Sequence, residues 1–148
     1  MKKRKWIFWM LVLSFGFLLE SCSDDDDNQN VNATPSQVTQ IAKQGTWRIT
    51  YFFDESDKTN QFEGYNFTFG DSNHVEAVLA DTVVEGTWFA DNDDDDGDVD
   101  FNLLFIDPAL FQELNDDWDI VELTNTKIRL VDVSGGNGGT DYLTFERN

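Results

Sequence analysis

The chain has 148 residues, 10 basic against 29 acidic side chains, one Cys and one His, a length that fits one domain rather than two. Its first 21 residues hold four of the basic groups and one of the acidic ones, so the rest carries six against 28, a balance of −22. A body this acidic repels nucleic acid and anionic lipid, one Cys excludes an internal disulfide, and one His excludes a multi-histidine zinc site.

Lys2, Lys3, Arg4 and Lys5 precede an apolar run from Trp6 to Leu19. That run is shorter than the roughly 20 residues a membrane-spanning helix needs. A basic segment followed by an apolar one of this size predicts a signal peptide over residues 1–21. Leu19-Glu20-Ser21-Cys22 then resembles the bacterial lipobox, with an aliphatic residue three places and a small residue one place before the cysteine. The resemblance implies cleavage before Cys22 and acylation of its thiol and amino group with chains such as palmitate. Each buried methylene contributes about 0.8 kcal/mol, so such an anchor does not dissociate. Ser23-Asp24-Asp25-Asp26-Asp27 resembles the export signal of Bacteroidota lipoproteins, which implies an outer-membrane location facing the cell exterior.

Residues 22–36 read as a lipidated acidic tether, and 37–148 as the folded domain. The dozen residues from Cys22 to Thr34 give a flexible reach of roughly 20 Å. Thr34-Pro35-Ser36-Gln37 has the form of a capping box with Pro at the first helical position. Val38, Ile41 and Ala42 share one face of the short helix this predicts, and Gly45 ends it.

The period then changes to two. Trp47, Ile49, Tyr51 and Phe53 alternate with Arg48, Thr50 and Phe52, the pattern of a half-buried strand. The same alternation runs through 65–69, 75–79, 84–88, 99–105, 118–123, 127–133 and 141–146, which makes eight strands. The segments between them carry the Gly, Asn, Asp and Ser of hairpin turns. Asp107-Pro108 opens a second short helix between the fifth and sixth strands. Eight sequential short strands without crossover spacing predict an all-β, antiparallel up-and-down barrel, since closure removes exposed edges. The rival is a two-sheet sandwich.

Gly45-Thr46-Trp47 after a short helix, a second Gly86-Thr87-Trp88, and the closing hairpin from Trp118 to Leu130 with Tyr142-Leu143-Thr144-Phe145-Glu146-Arg147 together resemble lipocalin-like domains. The resemblance implies that the first-strand tryptophan packs under a late arginine, Arg129 or Arg147, at the closed end. It also implies an apolar ligand in the mouth, for which the inward-facing set is Trp47, Tyr51, Phe67, Trp88 and Phe101. Against this, an eight-stranded barrel is narrow enough for bulky side chains to fill.

Nothing in the chain has the form of a catalytic constellation. His74 stands beside Ser72 and Asn73 at a turn, so the expectation is a protein that is not an enzyme. The most chemically pointed segment is Asp91 to Asp100. Asn92, Asp94, Asp96, Asp98 and Asp100 place oxygens at alternate positions around Gly97, as a calcium loop does. Leu103 stands where an EF-hand has its bidentate Glu, so the segment is either a looser Ca²⁺ loop or a solvated hairpin tip. The sequence therefore predicts a non-catalytic binding module, for a small hydrophobic ligand or a protein partner. The alternative is an accessory interaction lipoprotein with a calcium-binding loop.

Overall fold

The computed structural model describes residues 32–92, 98–133 and 139–148. The signal peptide expected over residues 1–21, Cys22, Ser23, Asp24, Asp25, Asp26 and Asp27 lie outside the described residues, as do Asp94 and Asp96 of the acidic segment. The first element is α1 (Pro35–Ala42). It opens with the expected capping box: the Gln37 N–H donates to Thr34 Oγ1 at 3.3 Å, and the Thr34 N–H donates to Gln37 Oε1 at 2.9 Å. Val38 and Ala42 are fully buried, and Gly45, at φ +84°, turns the chain into the barrel.

Nine strand segments follow in order: β1 (Trp47–Asp54), β2 (Ser56–Asp57), β3 (Asn66–Phe69), β4 (His74–Leu79), β5 (Thr82–Asn92), β6 (Val99–Phe105), β7 (Asp116–Leu123), β8 (Lys127–Val133) and β9 (Thr140–Arg147). Apart from the two-residue β2, each pairs antiparallel with its neighbours, and β9 returns to β1 from Trp47↔Arg147 to Phe53↔Tyr142. The sheet therefore closes into the eight-stranded barrel the alternation predicts, and the sandwich is excluded. A second short helix, α2 (Ala109–Gln112), stands where it was expected. Its N-cap is Pro108 and not Asp107, and no side chain caps it.

Because neighbouring strands run in opposite directions, the two barrel ends collect different connections. One end receives α1, which packs across β5 and β6, together with the start of β1 and the end of β9. The other receives α2 and a 3-10 turn over Thr59–Phe62, a segment in which the sequence showed no period. Phe62 from that turn and Phe111 from α2 are buried and close this second end.

One inward assignment is corrected. In β1 the register shifts between Ile49 and Tyr51, so Thr50 is the extra residue of a β-bulge. The alternation inverts beyond it: Phe52 is fully buried, and Tyr51 is 40% exposed on the outer wall. A second bulge lies between Ile120 and Glu122 in β7.

Candidate functional site

The lumen is built from aromatic rings. Phe69 lies 5.1 Å from Trp88, 5.2 Å from Phe101 and 5.5 Å from Phe145, ring centre to ring centre. Towards the α2 end, Phe111 lies 5.1 Å from Tyr65 and from Phe105 and 5.5 Å from Phe62. Phe67 links the two clusters, 5.3 Å from Phe145. At such spacings rings touch edge to face, so these side chains occupy the barrel axis. Of the five residues expected to line a ligand pocket, Trp47, Phe67, Trp88 and Phe101 are at most 2% exposed and belong to this packed interior, whereas Tyr51 is outside it.

The three tryptophans of the barrel satisfy their indole N–H groups on backbone carbonyls. Trp47 Nε1 donates to Ala42 O at 2.8 Å, Trp88 Nε1 to Gly70 O at 3.2 Å, and Trp118 Nε1 to Leu114 O at 3.0 Å. Each bond ties an inward ring to an end connection, which a large aromatic group with one polar atom is suited to do. Arg147, of the two arginines considered, covers Trp47, its Cζ 5.2 Å from the indole centroid. Arg129 instead stands on the outer wall, Nη1 3.5 Å from Glu122 Oε2.

At the α2 end, strand parity turns Asp54, Asp116, Asp132 and Asp141 towards the mouth, the last two directly opposite in register. Lys58 stands among them, 2.8 Å from Asp54 and 3.2 Å from Glu113. The hydrogen bond to Asp54, more than burial opposes it, holds the Lys58 ammonium above its usual range. Burial first, then the Asp117 side chain and the charge of Asp132, pushes Asp116 up to about 6. Burial, then the charges of Asp54 and Asp132, also raises Asp141. Among the described residues no group of His, Cys, Asp or Glu has the geometry of a metal site.

Open space lies on the wall, where β1 and β3 part. They share a single register pair, Trp47↔Phe67, and above it the chain from Asp57 to Gly64 crosses the gap. Thr59 holds that segment to β1: its Oγ1 accepts from Phe52 N at 2.9 Å, while Lys58 N donates to Phe52 O at 2.9 Å. The Asp57 carboxylate accepts from Thr59 N at 2.9 Å, and its bonds to Thr59 hold it below the usual carboxylate range. The result is a groove of about 610 Å³, within the usual size of small-molecule sites. It is lined by Arg48, Ile49, Thr50, Asp57, Thr59, Asn60, Glu63 and Gly64. The sequence reading missed it because strand divergence leaves no periodic signal. The Asp57-x-Thr59 turn and the isolated Phe62 were the marks available.

Of the proposed calcium ligands, Asn92 ends β5 opposite Val99, and Asp100 lies opposite Asp91 where β5 pairs with β6. Asp98 is exposed. His74 begins β4, exposed, with Nε2 3.8 Å from Glu85.

No protein-family description matches the chain, and no curated protein matches it. Among solved structures it is similar to a DUF4847 family protein from Bacteroides vulgatus ATCC 8482. The identity is 19%, the TM-score 0.46, and the similarity covers 75% of this chain and 97% of that one.

Proposed function

We propose that this protein is an outer-membrane lipoprotein, acylated on Cys22 and facing the cell exterior, whose barrel is a non-catalytic binding module that works through its outer surface. The lipobox-like Leu19-Glu20-Ser21-Cys22 and the acidic Ser23–Asp27 that follow the basic and apolar leader support the location. The observation that carries the binding reading is the pairing of a ring-filled lumen with an open groove at the β1–β3 seam. An apolar ligand entering the lumen must displace packed rings, whereas a ligand in the groove displaces only water. The groove sets a guanidinium, two carboxylates, two threonine hydroxyls and an amide around Ile49. That chemistry suits a small molecule with donors and acceptors about an apolar patch.

Two measurements test this. Replacing Cys22 by Ser is expected to abolish incorporation of a palmitate analogue and release the protein from membranes. In a fragment screen followed by backbone NMR, shifts are expected at Arg48–Thr50 and Asp57–Gly64. Saturable micromolar uptake of a fluorescent fatty acid, with shifts at Phe69, Phe101 and Phe145, would show instead that the lumen opens for ligand.

A further inference from the structure

Two walls of the barrel differ in charge. The outward side chains of β4 to β7 include Glu76, Glu85, Asp91, Asp100, Asp117 and Asp119, and these four strands hold no Lys or Arg. The opposite wall, β8–β9–β1, turns three cations outward against two carboxylates: Arg48 pairs with Glu146 at 3.6 Å, and Lys127 and Arg129 share Glu122 at the edge of β7, at 3.7 and 3.5 Å. It also carries the largest outward aromatic group. Tyr142 stands 6.4 Å from Tyr51 and 6.4 Å from Phe53, beside a depression of about 330 Å³ next to Arg129. The acidic wall has its own apolar centre, with Phe89 39% and Leu104 53% exposed.

Each wall thus has apolar groups at the middle and charges around them, of opposite balance on the two sides. From these complementary walls we infer that the β8–β9–β1 wall of one copy docks on the β4–β7 wall of the next. The part of the chain after residue 21, of charge −22, meets another acidic protein with least repulsion on the wall where cations outnumber carboxylates, and a second copy offers the matching acidic wall. Because the walls lie on opposite sides of the barrel, the contact is head-to-tail and does not close on a pair: copies add in a row. Both walls are lateral to the end where the chain enters α1. On the anchored form proposed above, the row lies along the membrane surface, where the anchor concentrates the copies. The aromatic–cation wall is the anchor half of this contact, since Tyr and Arg dominate binding at interface centres.

The test uses the full chain in intact cells and a short bismaleimide. Acylation of Cys22 leaves no free thiol, so the wild type stays uncrosslinked. A dimer in the wild type would show that the acylation reading has failed, independently of the docking. Thr144→Cys places a thiol on the aromatic wall and Thr87→Cys one on the acidic wall. The double variant is expected to give a ladder of dimers, trimers and higher species, and each single variant none. Tyr142→Asp, or Arg48→Glu with Lys127→Glu, should reduce the ladder at least tenfold. Raising the salt from 0.15 to 0.5 M should reduce it in the unaltered double variant, a readout that does not depend on a mutant folding. A dimer from Thr144→Cys alone, equal crosslinking in every variant, or no ladder in the double variant would each overturn the head-to-tail contact.

Discussion

The Arg147 guanidinium, near the last residue of the chain, lies over the indole of Trp47, the first residue of the barrel, with Cζ 5.2 Å from the ring centroid. The two residues are also opposite one another in the β1–β9 register that closes the sheet. Arg147 Nη2 donates to Gln44 Oε1 at 3.2 Å, and its Nε is buried without a hydrogen-bond partner, so the electron-rich ring face is what compensates that part of the cation. The pair therefore pins the seam at the α1 end.

A cation over an indole is worth about 0.5–2 kcal/mol, more where water is excluded. Arg147→Gln is expected to lower unfolding free energy by about 1–2 kcal/mol in urea titrations. Arg147→Lys should recover only part of it, because an ammonium lacks the planar stacking surface. Equal stability of the Gln variant and the wild type would show that the seam is held by the β1–β9 ladder alone.

Gly86 faces inward between Val84 and Trp88. A Cβ there would lie 2.5 Å from Phe105 Cδ1 and 2.8 Å from Leu104 O. Phe111, 5.1 Å away ring centre to ring centre, opposes retreat of the Phe105 ring on that side. Gly86→Ala is predicted to destabilise by about 1–3 kcal/mol, the usual cost of overpacking. Adding Phe105→Leu should return part of the loss, so the double-mutant cycle should show coupling. Additive effects in calorimetry would disprove the clash.

The raised carboxyl of Asp116 makes a pH prediction. A carboxyl whose folded value lies above its unfolded one favours the folded state only when protonated. Its penalty is absent below about pH 4 and complete above the folded value of about 6. Full conversion of a shift from 3.8 to about 6 is about 3 kcal/mol, which solvent screening at a half-exposed group reduces to about 1–2. Asp116→Asn should therefore be more stable than the wild type at pH 7.5 and equal to it near pH 4. A difference independent of pH would point to packing rather than charge.

Like charges face each other at Glu76↔Glu85, Asp91↔Asp100, Asp100↔Asp119 and Asp132↔Asp141. Such pairs weaken a sheet by some tenths of a kcal/mol each, and salt screens them. Raising NaCl from 0.05 to 0.3 M is expected to raise the melting temperature. If the Asn92–Asp100 segment takes up calcium, 1 mM Ca²⁺ should add a further rise at constant ionic strength, and Asp94→Asn with Asp96→Asn should remove only that part. Superimposable melting curves with calcium and with chelator would leave the segment a solvated hairpin tip.

Most strands were legible because a half-buried antiparallel sheet imposes a period of two on its own residues. So was α1, whose Thr34 and Gln37 satisfy each other within four residues. Thr50 defeated the same reading: a bulge adds one residue without changing composition, and Phe52 and Phe53 are equally apolar, so the pattern alone favoured the wrong one. The 3-10 turn with Phe62 was missed because it has no period and gains its burial from Phe52 and Phe111, which are remote in sequence. The β1–β3 groove was invisible for a related reason, since it is the gap left where two strands stop pairing.

By itself the sequence determined what neighbouring residues decide among themselves: the alternation of faces, the turns, the helix cap and the acidic balance of the body. Only the tertiary structure decided between the closed barrel and the two-sheet sandwich, that Arg147 and not Arg129 meets Trp47, and that rings from six strands fill the axis. It also gathered the outward cations and tyrosines on one wall and left the other to carboxylates. Those outcomes depend on which distant residues are brought together through space, and local backbone preference contains no term for that.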